Sequence, residues 1–129
     1  MAELQLNLVL VDGTFAICRL AGDASIPSWA TAGHFSSITR TADELSVVCR
    51  QADVPDGVVY QQGWRCLRVA GAMPFSLVGV LASLTGPLAE AGVSVFAVST
   101  FDTDYLLVRE INFEKAITAL QQSGHSISK

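Results

Sequence analysis

The chain has 129 residues, with 8 Lys+Arg against 12 Asp+Glu and a formal charge of −4. Half of its residues are hydrophobic, 16% are charged, and the pI is near 4.9. Apolar surface on that scale offsets chain entropy, and no basic stripe exists to neutralise phosphates or an anionic membrane. Disorder, nucleic-acid binding and membrane docking are excluded, leaving one compact domain or two very small ones sharing a core.

The N-terminal half reads as short strands. Residues 4–10 (LQLNLVL) alternate apolar and polar, and Asp12-Gly13 is a two-residue hairpin signal leading into a second strand over 14–20. Residues 21–32 are turn-like, with one helical turn opening near Pro27. Residues 35–40 and 45–50 form a second hairpin around Thr41-Ala42-Asp43-Glu44, and residues 54–63, with Pro55, Asp56 and Gly57, form the linker. The boundary falls there, giving units 1–63 and 64–129.

The C-terminal half begins with a strand over 65–70 and a turn over 71–74. Leu77, Leu81, Leu84 and Leu88 follow at helical spacing, which predicts a helix over 75–91 that Pro87 kinks near Ser83 and Gly92 stops. Strands follow over 93–99 and 105–110, separated by a polar corner at 100–104. Asn112 caps a second helix with Phe113, Ile117 and Leu120 on one face, Gly124 ends it, and 125–127 is a closing edge strand. The order β-α-β-β-α-β is the ferredoxin-like pattern of an α+β fold, with antiparallel sheets and helices on one face. Residues 69–89 carry no charge, but Gly71, Pro74, Gly79, Gly86 and Pro87 interrupt them and no Lys/Arg cluster flanks them. They read as a strand and a buried helix, not a membrane span.

Catalytic groups are sparse. His34 and His125 stand beside turn residues with no partner in view and read as surface imidazoles. No nucleophile elbow or phosphate-binding loop occurs, and Asp102 with Asp104 supply too few oxygens for a hard cation. Cys18, Cys49 and Cys66 sit among apolar neighbours and read as small buried hydrophobes, with no disulfide framework, metal site or cofactor. The first residues, MAELQLNLVL, lack a basic n-region and a cleavage site, so a reducing cytoplasm is the expected setting. Trp29 and Trp64 read as packing anchors.

The run GVLASLTGPLAEAGVSVFAVSTFDTDYLLVRE (79–110) is similar to the ACT domain, and more narrowly to its CASTOR-like branch, which includes cytosolic arginine sensors. WATAGHFSSITRTADELSVVC (29–49) resembles the bacterial members, and would be a first, abbreviated ACT-like unit. The resemblance implies two ferredoxin-like units and a non-catalytic regulatory domain that binds a small molecule, an amino acid, between ACT units. It places the ligand against Ser76, Leu77, Val78, Gly79 and Val80 in the turn, Thr100, Phe101 and Asp104 in the corner, and Ser94 and Val95 on an opposing strand. N–H groups opening a helix suit an α-carboxylate, and Asp104 suits an ammonium or a basic side chain. The arginine sensors carry acidic residues where this chain has Ser76 and Leu77, so amino acids less basic than arginine fit as well. One chain supplies one full unit, which implies a homodimer with Ser94 of each copy facing Gly79 of the other. The alternatives are a dimerisation module without a ligand and, further off, an enzyme using Cys66 or His34.

Overall fold

A computed structural model of the chain describes residues 4–71 and 78–129. In chain order the strands and helices are β1 (Asn7–Ala21), β2 (Ser37–Arg40), β3 (Glu44–Arg50), β4 (Val59–Val69), α1 (Val80–Glu90), β5 (Val95–Ser99), β6 (Asp104–Arg109), α2 (Phe113–Gln122) and β7 (Ser126–Ser128). They group into two compact units, one of Met1–Asp12 with Arg65–Lys129 and one of Gly13–Trp64. Residues 4–12 therefore group with the C-terminal unit, whereas the sequence reading put them with the N-terminal half.

The C-terminal unit has the expected β4-α1-β5-β6-α2-β7 order, with one difference at its edge. β7 runs parallel to the start of β1, with Asn7 opposite Ser126 and Val9 opposite Ser128. β1 in turn neighbours β4, so the N-terminal strand is inserted where a plain ferredoxin-like sheet would pair its last strand with its first. The residues explain the insertion. Leu8 is fully buried, and Leu6 and Leu10 pack against the same core. Across the sheet β6 joins β4 to β5, the latter antiparallel from Val95 opposite Val108 to Ser99 opposite Asp104. Both helices lie on one face, where Leu84 and Leu88 of α1 and Ala116 and Leu120 of α2 meet Leu67, Val69, Leu106 and Val108 of the sheet. Each such leucine contributes about 1.5–3 kcal/mol relative to exposure. Phe113 and Ile117 are half-buried against the same cluster, and the Arg65 guanidinium sits 4.5 Å from the Phe113 ring centre.

In the N-terminal unit β3 pairs antiparallel with β1, from Phe15 opposite Arg50 to Ala21 opposite Glu44, and with β2, from Ser37 opposite Val48 to Arg40 opposite Leu45. The β2–β3 turn is closed by the Thr41 hydroxyl, which accepts the N–H groups of Asp43 and Glu44 at 3.2 and 3.1 Å. Ala16, Cys18, Ala30, Leu45, Val47 and Cys49 form its core, and a short 3-10 turn, Ser28–Thr31, follows Pro27 as the sequence reading expects. Trp29 packs on that core, and Phe35 meets Phe15 edge to face at 5.6 Å.

Three expectations change. The Asp12-Gly13 hairpin does not form: β1 is one strand through Gly13, which takes a φ of +103°, because residues 7–9 pair with β7 while 15–21 pair with β3. The linker over 54–63 shortens, since β4 begins at Val59. The first helix begins at Val80, after Gly79 in the left-handed region at φ +82°, while residues 75–77 lie outside the described residues. Among the described residues no helix is long and apolar enough to cross a membrane.

Candidate functional site

The region of interest is the end of the C-terminal sheet where β4 stops and β6 starts. Two contacts draw it together. The Thr103 hydroxyl donates to the Val69 carbonyl at 2.8 Å, and the Ala70 N–H donates to the Asn7 carbonyl at 2.8 Å. The corner between β5 and β6 is rigid by its own bonds. The Thr100 N–H donates to the Thr103 carbonyl at 2.8 Å, and the Thr103 N–H donates back to the Thr100 hydroxyl at 3.2 Å.

Asp104 opens β6 directly after that corner. Alternation along the strand puts it on the face of Leu106 and Val108, which line the core beneath the helices. It therefore caps the core row at the end where α1 begins, and the residue as a whole is 9% exposed. Among the described residues no ion pair or side-chain hydrogen bond engages this carboxylate. Its oxygens keep contact with solvent at this end of the sheet.

The other expected residues divide. Val78 and Phe101 are 82% and 78% exposed beside this end, and Thr100 is exposed on the corner. Gly79 is the residue before α1, and its positive φ is a conformation that side chains rarely adopt. Val80, by contrast, is buried in the core, so its side chain is closed to a ligand. Val95 opens β5 at its opposite end, roughly 14 Å along the strand from Ser99, and Ser94 precedes it, roughly 17 Å away. They cannot meet the same small ligand as Asp104 within one copy. Ser76 and Leu77 lie outside the described residues. An open groove of about 770 Å³ runs along α1 from Val78 and Gly79 past Gly86 to Glu90, with His125 in its wall.

His125 corrects the sequence reading. It is 4% exposed, with Nε2 3.0 Å from the Ser83 carbonyl and Nδ1 accepting the Leu6 N–H at 3.1 Å. The available signal was Pro87: a proline in a helix leaves the carbonyl four residues earlier without a donor. Thr103 was also missed, because a threonine among turn residues looks like solvent-facing polarity until its carbonyl partner is known.

All three cysteines are free and buried. Burial raises the thiol of Cys18 and pushes those of Cys49 and Cys66 up to about 12, with the neighbouring Cys18 adding to the effect at Cys49. Such thiols stay protonated at neutral pH and make poor nucleophiles.

Comparison with known proteins agrees with the fold. The ACT domain family profile matches residues 59–122, and the profile of a separate N-terminal domain matches 13–57. The human protein named cytosolic arginine sensor for mTORC1 subunit 1 is 38% identical over 66 residues, as is that of Pongo abelii. The match takes in 50% of this chain and 20% of those proteins, so the chain spans about a fifth of the length of the curated relatives it matches. A crystallised protein of Agobacterium tumefaciens is 40% identical with a TM-score of 0.93, over 98% of this chain and 96% of that one. The regulatory subunit of aspartate kinase from Thermus flavus shares the fold at 13% identity, with a TM-score of 0.65 over 94% of this chain and 99% of that one.

Proposed function

Since the chain belongs to the ACT-domain family, we propose that it is a non-catalytic regulatory domain that binds an amino acid at an interface between ACT units. The observation that carries the reading is Asp104, a residue nine-tenths buried whose carboxylate meets no counter-charge among the described residues, at the end of the sheet where α1 opens. It receives the α-ammonium or a basic side chain, while the first N–H groups of α1 receive the α-carboxylate. Val78, Gly79, the backbone at Val80, Thr100 and Phe101 complete that side, and Ser76 and Leu77 remain part of the expected turn.

The separation of Val95 and Ser94 from this end (about four and five strand steps, or roughly 14 and 17 Å) supports a second copy as their source. In a two-fold homodimer each copy offers Asp104 to one cleft and Ser94 to the other. The abbreviated N-terminal unit is read as a reduced ACT-like partner of the C-terminal one, and the setting as cytoplasmic. Ligand at the interface would favour one dimer arrangement, which is how such a domain signals.

The test is a thermal-shift screen against the twenty amino acids, repeated with Asp104→Asn. A ligand at about 100 times its Kd adds roughly 2.7 kcal/mol, which is a rise on the order of 5–15 °C for a domain of this size. A hit that Asp104→Asn abolishes supports the assignment, and a hit that survives it moves the site elsewhere. A second reading, a dimerisation module without a ligand, is favoured by the exposure of Val78 and Phe101. Silence from all twenty amino acids, with a dimer in solution, supports that one.

A further inference from the structure

Helix α1 contains a proline at position 87, and proline has no N–H to give. The carbonyl it would have served, that of Ser83, lies in the half-buried part of the helix, where an unserved acceptor is destabilising. The donor comes from outside the helix, from His125 Nε2 at 3.0 Å. A carbonyl only accepts, so Nε2 carries the ring proton. An N–H only donates, so Nδ1, which receives the Leu6 N–H at 3.1 Å, is bare. One neutral ring thus bridges α1 and the residue that leads into β1.

The rest of His125 is as fully engaged. Its N–H donates to the Leu120 carbonyl at 3.1 Å, ending α2, and the next residue, Ser126, donates its N–H to the Leu6 carbonyl at 2.9 Å as β7 begins. The ring therefore joins α1 to the lead into β1, while the backbone of His125 and Ser126 joins α2 and β7 at the same point, and His125 forms part of the groove wall along α1.

We propose that His125 is a positioning residue: it replaces the hydrogen bond that Pro87 removes, and so ties α1, including its Gly79 end, to the N-terminal strand. The consequence for ligand binding rests on the reading given under Proposed function, but the tie itself does not, and it is tested without ligand. Nitrogen-15 spectra of the imidazole in the whole protein should show the Nε2–H tautomer with Nδ1 unprotonated. Unfolding midpoints are then compared for His125→Ala, Pro87→Ala and the double variant. Pro87→Ala restores an N–H to the Ser83 carbonyl, so His125→Ala should lower the midpoint on the order of 5 °C in the native background and distinctly less beside Pro87→Ala. His125→Gln, whose amide can still donate, should recover part of the loss.

An Nδ1–H tautomer, or an equal cost of His125→Ala in both backgrounds, overturns the proposal. Should His125→Ala not fold, the tautomer measured in the native protein decides alone. Where an amino acid binds, His125→Ala should weaken it about tenfold with Asp104 intact, and Pro87→Ala should recover part of that. A confirmed tautomer and coupling in a protein that binds no amino acid would leave the tie standing and remove the ligand reading.

Discussion

The hydroxyl of Thr103 donates to the carbonyl of Val69 at 2.8 Å, so the corner that follows β5 is fastened to the last residue of β4, thirty-four positions earlier. Both groups are buried, and the bond fixes the corner that presents Asp104. Thr103→Val keeps the shape and deletes the donor. It should cost about 1–2 kcal/mol, read as a fall of several degrees in the unfolding midpoint, with Thr103→Ser close to the native protein.

Asp104→Asn tests the site with the fold held constant. Its carboxylate meets no counter-charge among the described residues, so neutralising it should leave thermal stability unchanged or raise it slightly. Amino-acid affinity, measured by calorimetry, should fall at least about tenfold, the equivalent of about 1.4 kcal/mol. Lost stability together with intact binding would make the carboxylate a structural group.

Gly79→Ala probes the entry to α1. With φ at +82° and only the Leu4 side chain 4.0 Å from an added methyl group, the penalty is conformational, not steric. About 1–2 kcal/mol of stability should be lost, and Gly79→Asn, which tolerates the left-handed region better, should lose less. Equal losses for the two would point to crowding.

The cysteines define the alkaline limit. Their thiols ionise near 9 in the unfolded chain, whereas those of Cys49 and Cys66 are held up to about 12 in the fold. Proton release therefore favours unfolding above pH 9. The stability present below that pH should decline as pH rises from 9 towards 12. Denaturant midpoints measured between pH 7 and 11 should show the fall, and a thiol reagent at pH 8 should label the cysteines only once the chain is unfolded.

Much of the C-terminal unit was legible because its signals are local. Leu84 and Leu88 repeat at helical spacing, Gly92 stops the helix, and residues 95–99 form a strand where the sequence placed one. The hairpin at Asp12-Gly13 failed for a non-local reason. A turn dipeptide states what the backbone can do, and the strands on either side decided otherwise by pairing with β7 and β3. His125 was misread in the same way: its partners, Leu6 and Ser83, are 119 and 42 positions away. At the candidate site, Asp104 could be picked out from its corner, but its burial depends on the Leu106–Val108 row and the helices above it, which exist only in the folded chain.

The pairing of residues 7–9 with residues 126–128 has a consequence for how the protein is made. Contacts of such long sequence separation form late and slowly. During synthesis the first strand must wait, its edge unpaired and flanked by Leu6, Leu8 and Leu10, until more than a hundred further residues have emerged. A chain broken off just before Ser126 would keep both helices and most of its core, yet leave that apolar strand edge open to the nearest other chain. A strand of three residues thus bears on whether the nascent protein aggregates.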